Sequence, residues 1–319
     1  MAMSALLCSS LLTLAACQKT QDAADTAPEA VTQGAVSQDN AASDSLAQTS
    51  TTGPAFYKVS DDDTTIYIFG TVHLLPEGLN WFEGPLRAAF DASDELVLEM
   101  LAPDPQVMQS VALQLAIDPQ GKTVRSYMDD EFKGAYEARL GTMGIPPEGL
   151  DPFEPWMVSL TLTTAQLQTM GLNPESGVET VLTQIAETAN KPLIGLETPE
   201  QQLGFMDNLS KEAQMDMLKA GIEDWDEGAD MMQAMIAEWQ AGDIEDLSEL
   251  MNEAMEGQSE LIKVLLTDRN VNWANWVEDR MDAPGTVFMA VGAGHLGGEG
   301  NLLELLDDRK IKATRLNSE

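Results

Sequence analysis

Two histidines are the only imidazoles in 319 residues, and both occupy the same local setting. His73 closes Gly70-Thr71-Val72-His73, and His295 closes Gly292-Ala293-Gly294-His295. Each follows a run of apolar β-formers, residues 66–69 before the first and 287–291 before the second. Each Gly-x-x-His therefore reads as a turn leaving the end of a strand. Imidazole is the usual side chain for proton transfer near neutral pH and a common transition-metal ligand. A chain that uses it twice, in one setting, is using it for chemistry.

Two carboxylates share that placement. The short apolar runs 95–98 and 192–196 end at Glu99 and Glu197. Four segments that read as strands thus deliver an imidazole or a carboxylate at their C-terminal ends. Ligands of parallel sheets bind outside the carboxyl ends of the strands. If these strands are parallel neighbours, His73, His295, Glu99 and Glu197 converge on one rim. Two neutral imidazoles with carboxylates suit a divalent ion such as Mn²⁺, Co²⁺ or Zn²⁺. Such an ion polarises a carbonyl and lowers the pKa of bound water, with a further Glu as general base. The glycines of both motifs are expected to supply positive φ and close backbone approach.

The other common hydrolase and nucleotide signatures are missing. There is no contiguous His-Glu-x-x-His, no Gly-x-Ser-x-Gly and no Walker loop. The Gly-rich stretch 292–300 lacks dinucleotide-binding spacing. A net charge of −36 and a pI near 4.1 argue against nucleic acid as a partner.

The elements that must position these residues follow from periodicity. A hairpin is expected from strands 55–59 and 64–69, turning at 61–63, with a helix at 82–92 and a strand at 95–99. Residues 105–189 and 201–282 carry apolar residues at helical spacing, and strands are expected at 192–196 and 286–291. A helix at 301–308 and an edge strand near 311–316 close the chain. The pattern is α/β, with α+β as the alternative: a small central mixed sheet wrapped by many helices, its site at the strand C-termini.

The N-terminal part reads differently. Residues 1–16 are small and apolar and end in Leu14-Ala15-Ala16-Cys17, which resembles a bacterial lipobox, although no Lys or Arg precedes the apolar run. The expectation is a signal peptide over 1–16, acylation at Cys17, a disordered tether over 17–53 and one folded domain over 54–319. Lipid attachment would make the membrane a partner and place the chain in the cell envelope. By analogy with Gram-negative sorting, Gln18 after the Cys favours the outer membrane, facing the periplasm. The only other Cys is Cys8, so the mature chain has no disulfide.

Taken in order, these residues resemble the TraB/GumN family, which is related to the Tiki metalloproteases. The likeness rests on 69–76 (FGTVHLLP), 95–99 (ELVLE), Pro155-Trp156, Gly177-Val178-Glu179 and 195–198 (GLET) with Gln201 or Gln202. It continues through Trp239 with Gly242-Asp243, Arg269-Asn270, and 291–297 (VGAGHLG). The turn before the last strand, Asp307-Asp308-Arg309-Lys310, lacks the family's usual Gly. The resemblance implies a divalent-metal-dependent, peptidase-like hydrolase acting on peptide or protein. It makes His73, His295, Glu99 and Glu197 metal or catalytic candidates, with Glu179 and Arg269 beside them. Glu179 reads as a helix-borne base or a surface acid, Arg269 as a substrate clamp or a partner of a site Glu, and Asn270 as a cap. The competing expectation is a haem- or metal-binding lipoprotein without hydrolase activity.

Overall fold

A computed structural model describes residues 53–316. The signal peptide, Cys17 and nearly all of the tether lie outside the described residues. Six strands form one mixed sheet: β1 (Phe56–Ser60), β2 (Thr64–Thr71), β3 (Glu95–Met100), β4 (Leu193–Glu197), β5 (Gly285–Gly292) and β6 (Thr314–Arg315). Their order is β4-β3-β5-β2-β1-β6. The pairs β2·β5, β5·β3 and β3·β4 are parallel, whereas β1 runs antiparallel to both β2 and β6. The expected mixed sheet is therefore present, and β4, β3, β5 and β2 are contiguous parallel strands.

Local chemistry explains the elements. β1 and β2 meet at a tight turn in which Asp61 Oδ1 accepts from the Asp63 and Thr64 backbone N–H groups, the Asx turn that Asp favours. β2 and β5 are almost wholly buried. They read as near-continuous apolar runs because helices cover both faces of a parallel sheet. Phe69, Trp81, Trp239, Phe90 and Phe288 stack or tilt against one another in the core, with ring centroids 5.3–6.5 Å apart. The helices Asp130–Thr142, Pro155–Thr169 and Lys211–Glu223 enclose a smaller satellite cluster around Tyr136, Leu140 and Leu162.

Three expectations need correction. The last edge strand is only Thr314–Arg315, because this edge pairs with β1 alone and over two residue pairs. The helical middle is broken around 117–129, 143–154 and 170–177, where turns at Asp118 and Asn173, short 3-10 segments and a Phe153–Ile117 bridge replace α-helix. Gly70, Gly292 and Gly294 do not have positive φ. At Gly70 the requirement is space: a Cβ there would sit 3.0–3.2 Å from Leu296 Cδ1 and from Ala293. The two Gly-x-x-His turns pack directly on each other. The turn that lacks its usual Gly places Lys310 at φ 64°, so a lysine adopts the left-handed conformation glycine favours.

Among the described residues, no helix is long and apolar enough to cross a membrane.

Candidate active site

The parallel strands bring the candidates together in the order of the sheet. Glu197 ends β4, Glu99 lies near the end of β3, His295 sits in the turn after β5, and His73 in the turn after β2. Neighbouring strands are about 4.8 Å apart, so one rim carries all four. His73, Glu99 and His295 are buried, and the Glu197 side chain is only 8% exposed.

Arg269 closes one half of this rim. It stands in the helix Asp268–Met281, which continues from a π-helical turn at Lys263–Thr267. Such turns often mark functional positions in helices. Arg269 Nε and Nη2 donate to the two oxygens of Glu197, each at 2.8 Å, a bidentate pairing. Nη2 also donates to Glu99 Oε2 at 2.5 Å. Nη1 donates to Leu265 O in the π turn at 3.1 Å and to His295 Nε2 at 3.2 Å. The guanidinium lies over the Trp273 ring, 4.6 Å from its centroid.

The rest of this half is fully bonded. Glu197 also accepts from Trp273 Nε1 at 3.1 Å and Gln202 Nε2 at 3.0 Å. The neighbouring Gln201 instead completes a capping box with Thr198, which resolves which of the two glutamines serves the site. Glu99 Oε1 accepts the Gly292 backbone N–H at 2.6 Å. The His295 ring completes the network: its Nδ1 and Asn270 Oδ1 are 2.7 Å apart.

The His73 half is built otherwise. Glu179 stands in the first turn of the helix Val178–Thr188 and takes a hydrogen bond from Thr71 Oγ1. That placement makes it a site residue rather than a surface acid. Its Oε1 lies 2.8 Å from His73 Nδ1. Beyond that contact, His73 Nδ1 and Glu179 Oε2 are both buried without a hydrogen-bond partner. Gly177 is what brings this helix close. A Cβ at that position would lie 2.0 Å from His73 O, and the next residue, Val178, donates its N–H to Val72 O at 3.1 Å. From below, Trp239 Nε1 donates to Gly70 O at 2.8 Å.

Electrostatics separates the two imidazoles. Burial and the adjacent Arg269 push His295 down to about 3, against the pull of Glu99. Burial also acts to lower His73, but Glu179, and behind it Glu99, outweigh that and raise it. Burial would raise the Glu99 carboxyl; Arg269, both imidazoles and the Gly292 N–H instead hold it down to about 2. The sites are thus electrostatically one unit, with Glu99 and Glu197 facing the Arg269 guanidinium and Glu179 facing His73.

A divalent ion can be tested against these donors. Among the described residues, the only set of three or more imidazole, thiol or carboxylate ligand atoms lying within 4.8 Å of one another is Glu238, Asp243 and Asp246, which are not rim residues. Arg269 fills the place between Glu99 and Glu197. The rim donors left for a cation are His73 and Glu179, and their chemistry, an imidazole nitrogen and a carboxylate oxygen, fits one.

Sequence reasoning did not assign roles to Thr71 or Gln202, read Trp273 as core rather than as a substrate platform, and gave Asn270 only a cap. Thr71 and Asn270 sit inside motifs already singled out, so adjacency was the available signal. Trp273 carried none beyond its size.

A mixed sheet with a buried His/Glu/Arg rim at the carboxyl ends of its parallel strands defines an α/β protein. The chain belongs to the TraB/PrgY/gumN family, whose model matches residues 55–315. It is 32% identical over 164 residues to the uncharacterized protein YbaP of Escherichia coli (strain K12), an alignment covering 51% of this chain and 60% of YbaP. The Shigella flexneri YbaP matches equally. An uncharacterized protein of Treponema pallidum (strain Nichols) is 22% identical over 274 residues, covering 80% of this chain and 81% of its own. No solved structure matches the chain.

Proposed function

We propose that this chain is a divalent-metal-dependent hydrolase of amide bonds in peptides or proteins, held at the cell envelope by an acylated Cys17. The observation that carries the reading is the buried His73–Glu179 pair, with Nδ1 and Oε2 lacking hydrogen-bond partners at the carboxyl rim of the sheet. A buried polar atom without a partner costs about 1–3 kcal/mol, and one cation satisfies both atoms. Mn²⁺, Co²⁺ and Zn²⁺ all accept this donor pair. His73 and Glu179 would hold the ion, and His295 and Glu99 stand next along the rim. When bound, the ion supplies Lewis-acid polarisation of a carbonyl and a more acidic water.

The chain's own residues do the rest. Arg269 neutralises Glu99 and Glu197 and presents fixed N–H donors to the rim. Glu197 has both oxygens engaged by Arg269, Trp273 and Gln202, so its part is to anchor Arg269. Glu99 is held ionised by Arg269 and the Gly292 N–H, which engage both its oxygens, so its part too is to order the rim. The haem reading finds no comparable support, because His295 has both ring nitrogens engaged and His73 is buried.

The test is metal content by plasma mass spectrometry on protein purified without chelator. About one divalent ion per chain is expected, lost in His73→Ala and in Glu179→Gln. Protein that stays metal-free after reconstitution with Mn²⁺, Co²⁺ and Zn²⁺ would overturn the reading. Cleavage of a peptide library by the loaded protein then separates a hydrolase from a metal-binding protein.

A further inference from the structure

His295 is held from two sides by groups with fixed roles. Arg269 has only donors, so His295 Nε2, 3.2 Å from Arg269 Nη1, must be an acceptor there. Nδ1 then carries the proton and donates it to Asn270 Oδ1 at 2.7 Å. The alternative tautomer would set an N–H against a guanidinium N–H and a lone pair against the amide oxygen. Asn270 is itself fixed: it is 2% exposed, and its Nδ2 donates to Gly300 O at 3.0 Å. That second bond also sets which end of the amide faces the ring, because a flipped amide would turn its oxygen toward a carbonyl. Arg269 and Asn270 are consecutive on the helix Asp268–Met281. One helix thus carries the residue that reads one ring nitrogen and the residue that reads the other.

We infer that Asn270 is a positioning residue that locks His295 in the neutral Nδ1–H tautomer, so that its Nε2 lone pair faces Arg269 and Glu99 across the rim. Asn270 touches no reacting group; it acts through His295. An amide suits this task better than a carboxylate. It accepts the hydrogen bond without adding a further carboxyl group to a rim where Glu99 and Glu197 already share one guanidinium. The inference concerns the imidazole alone. It holds whether or not the rim binds an ion.

With only two histidines in the chain, the test can be read directly. Full-length protein is labelled with ¹⁵N at histidine, stripped with chelator, and its long-range ¹H–¹⁵N correlations recorded near neutral pH. His73→Ala assigns the remaining ring. Wild-type His295 is expected to show a protonated Nδ1 and an unprotonated Nε2. Asn270→Leu removes the acceptor and leaves Arg269 alone to set the ring, so the Nδ1–H form should give way to a mixture with the Nε2–H form, whose alternative acceptor is Glu99 Oε1 at 3.8 Å. Asn270→Asp keeps an acceptor oxygen and loses the Gly300 bond, so it should retain Nδ1–H. A wild-type Nε2–H tautomer, or an unchanged Nδ1–H tautomer in Asn270→Leu, would overturn the inference. Should Asn270→Leu not fold, Asn270→Ser, with a shorter side chain that reaches the ring less well, replaces it with the same criteria. Because the spectrum is taken without metal, a protein that binds no ion yet shows this tautomer change refutes the hydrolase reading and leaves the role of Asn270 standing.

Discussion

The two Gly-x-x-His turns are alike in sequence, in the strand each follows and in mutual packing, yet they end in opposite environments. Around His295 every polar group has a partner. Arg269 ties Glu99, Glu197 and Leu265 together, Trp273 and Gln202 finish Glu197, and Asn270 finishes the imidazole. Around His73 the bonding is thinner: Nδ1 has only the Glu179 Oε1 contact at 2.8 Å, and Glu179 Oε2 is buried without a hydrogen-bond partner. The same motif has therefore been used once as framework and once as an open valence. The difference originates in the facing helix. Asp268–Met281 presents a cation to one imidazole, whereas Val178–Thr188 presents an anion to the other.

The largest way to break this comparison is Arg269→Met. Removing one partner of a buried ion pair leaves uncompensated charge and costs about 3–5 kcal/mol, here with two carboxylates exposed to the loss. Urea unfolding should show a midpoint drop of that size with an unchanged slope. A loss under about 1 kcal/mol, the range of a surface pair, would mean that the Arg269 half is not the framework.

Acid should act on the framework half first. The folded His295 pKa is depressed from 6.5 to about 3. Between those values the unfolded chain binds the proton and the folded chain does not, so stability falls as pH falls through the window. The slope is roughly 1.4 kcal/mol per pH unit for one fully differential proton. Glu99, depressed from 4.5 to about 2, adds a loss of the same sign lower down. His73 has the opposite sign. Its folded pKa is raised, so the stability it contributes is complete below its unfolded value and disappears as pH rises through the folded one. Chelator-treated His295→Asn should flatten the acid limb of stability against pH, and His73→Asn the alkaline limb. Variants that flatten the other limb, or neither, would contradict the assignment.

How much of this was legible in the sequence depends on whether a signal was periodic or relational. Apolar runs of five to eight residues placed β2, β3, β4 and β5 to within a residue or two, because burial on both faces leaves that trace. The strand ends consequently located His73, Glu99, Glu197 and His295. What no single segment records is pairing. That Arg269 reaches across 72 positions to Glu197 and 170 to Glu99 is a property of helix placement. Gly70 could be singled out but not explained. Glycine at a strand end suggests a special φ, whereas its actual constraint is the neighbouring Ala293–Leu296 turn, more than two hundred residues away.

Gly177→Ala tests the close approach on the open side. The new methyl would meet the His73 carbonyl far inside contact distance, and overpacking of this kind costs about 1–3 kcal/mol. Because the conflict lies with backbone and not with a flexible side chain, relief requires the helix Val178–Thr188 to retreat, carrying Glu179 from His73. The expected result is a moderate loss of stability together with a fall of the His73 pKa toward its ordinary value, read by NMR titration of the two imidazoles. A destabilised variant with His73 unmoved would place Glu179 elsewhere in the balance.

The smallest effect expected without metal, and the sharpest discriminator, is the same substitution made in both motifs. His295→Leu strands Asn270 Oδ1 and removes an acceptor from Arg269, so a loss of about 1–3 kcal/mol follows from buried groups left unpaired. His73→Leu removes an imidazole whose Nδ1 has only the Glu179 contact and leaves Glu179 with Thr71. Its cost in chelator-treated protein, at a pH high enough for His73 to be neutral, should be within about 1 kcal/mol of zero, since an apolar group of similar volume then replaces a neutral, sparsely bonded one. Saturating metal should widen the wild-type margin over His73→Leu, because an ion that binds only the folded chain adds about 2.7 kcal/mol at a hundred times its Kd. Equal costs for the two leucine variants with and without metal would mean that the two histidines do the same job, and the contrast between framework and open valence would fall with them.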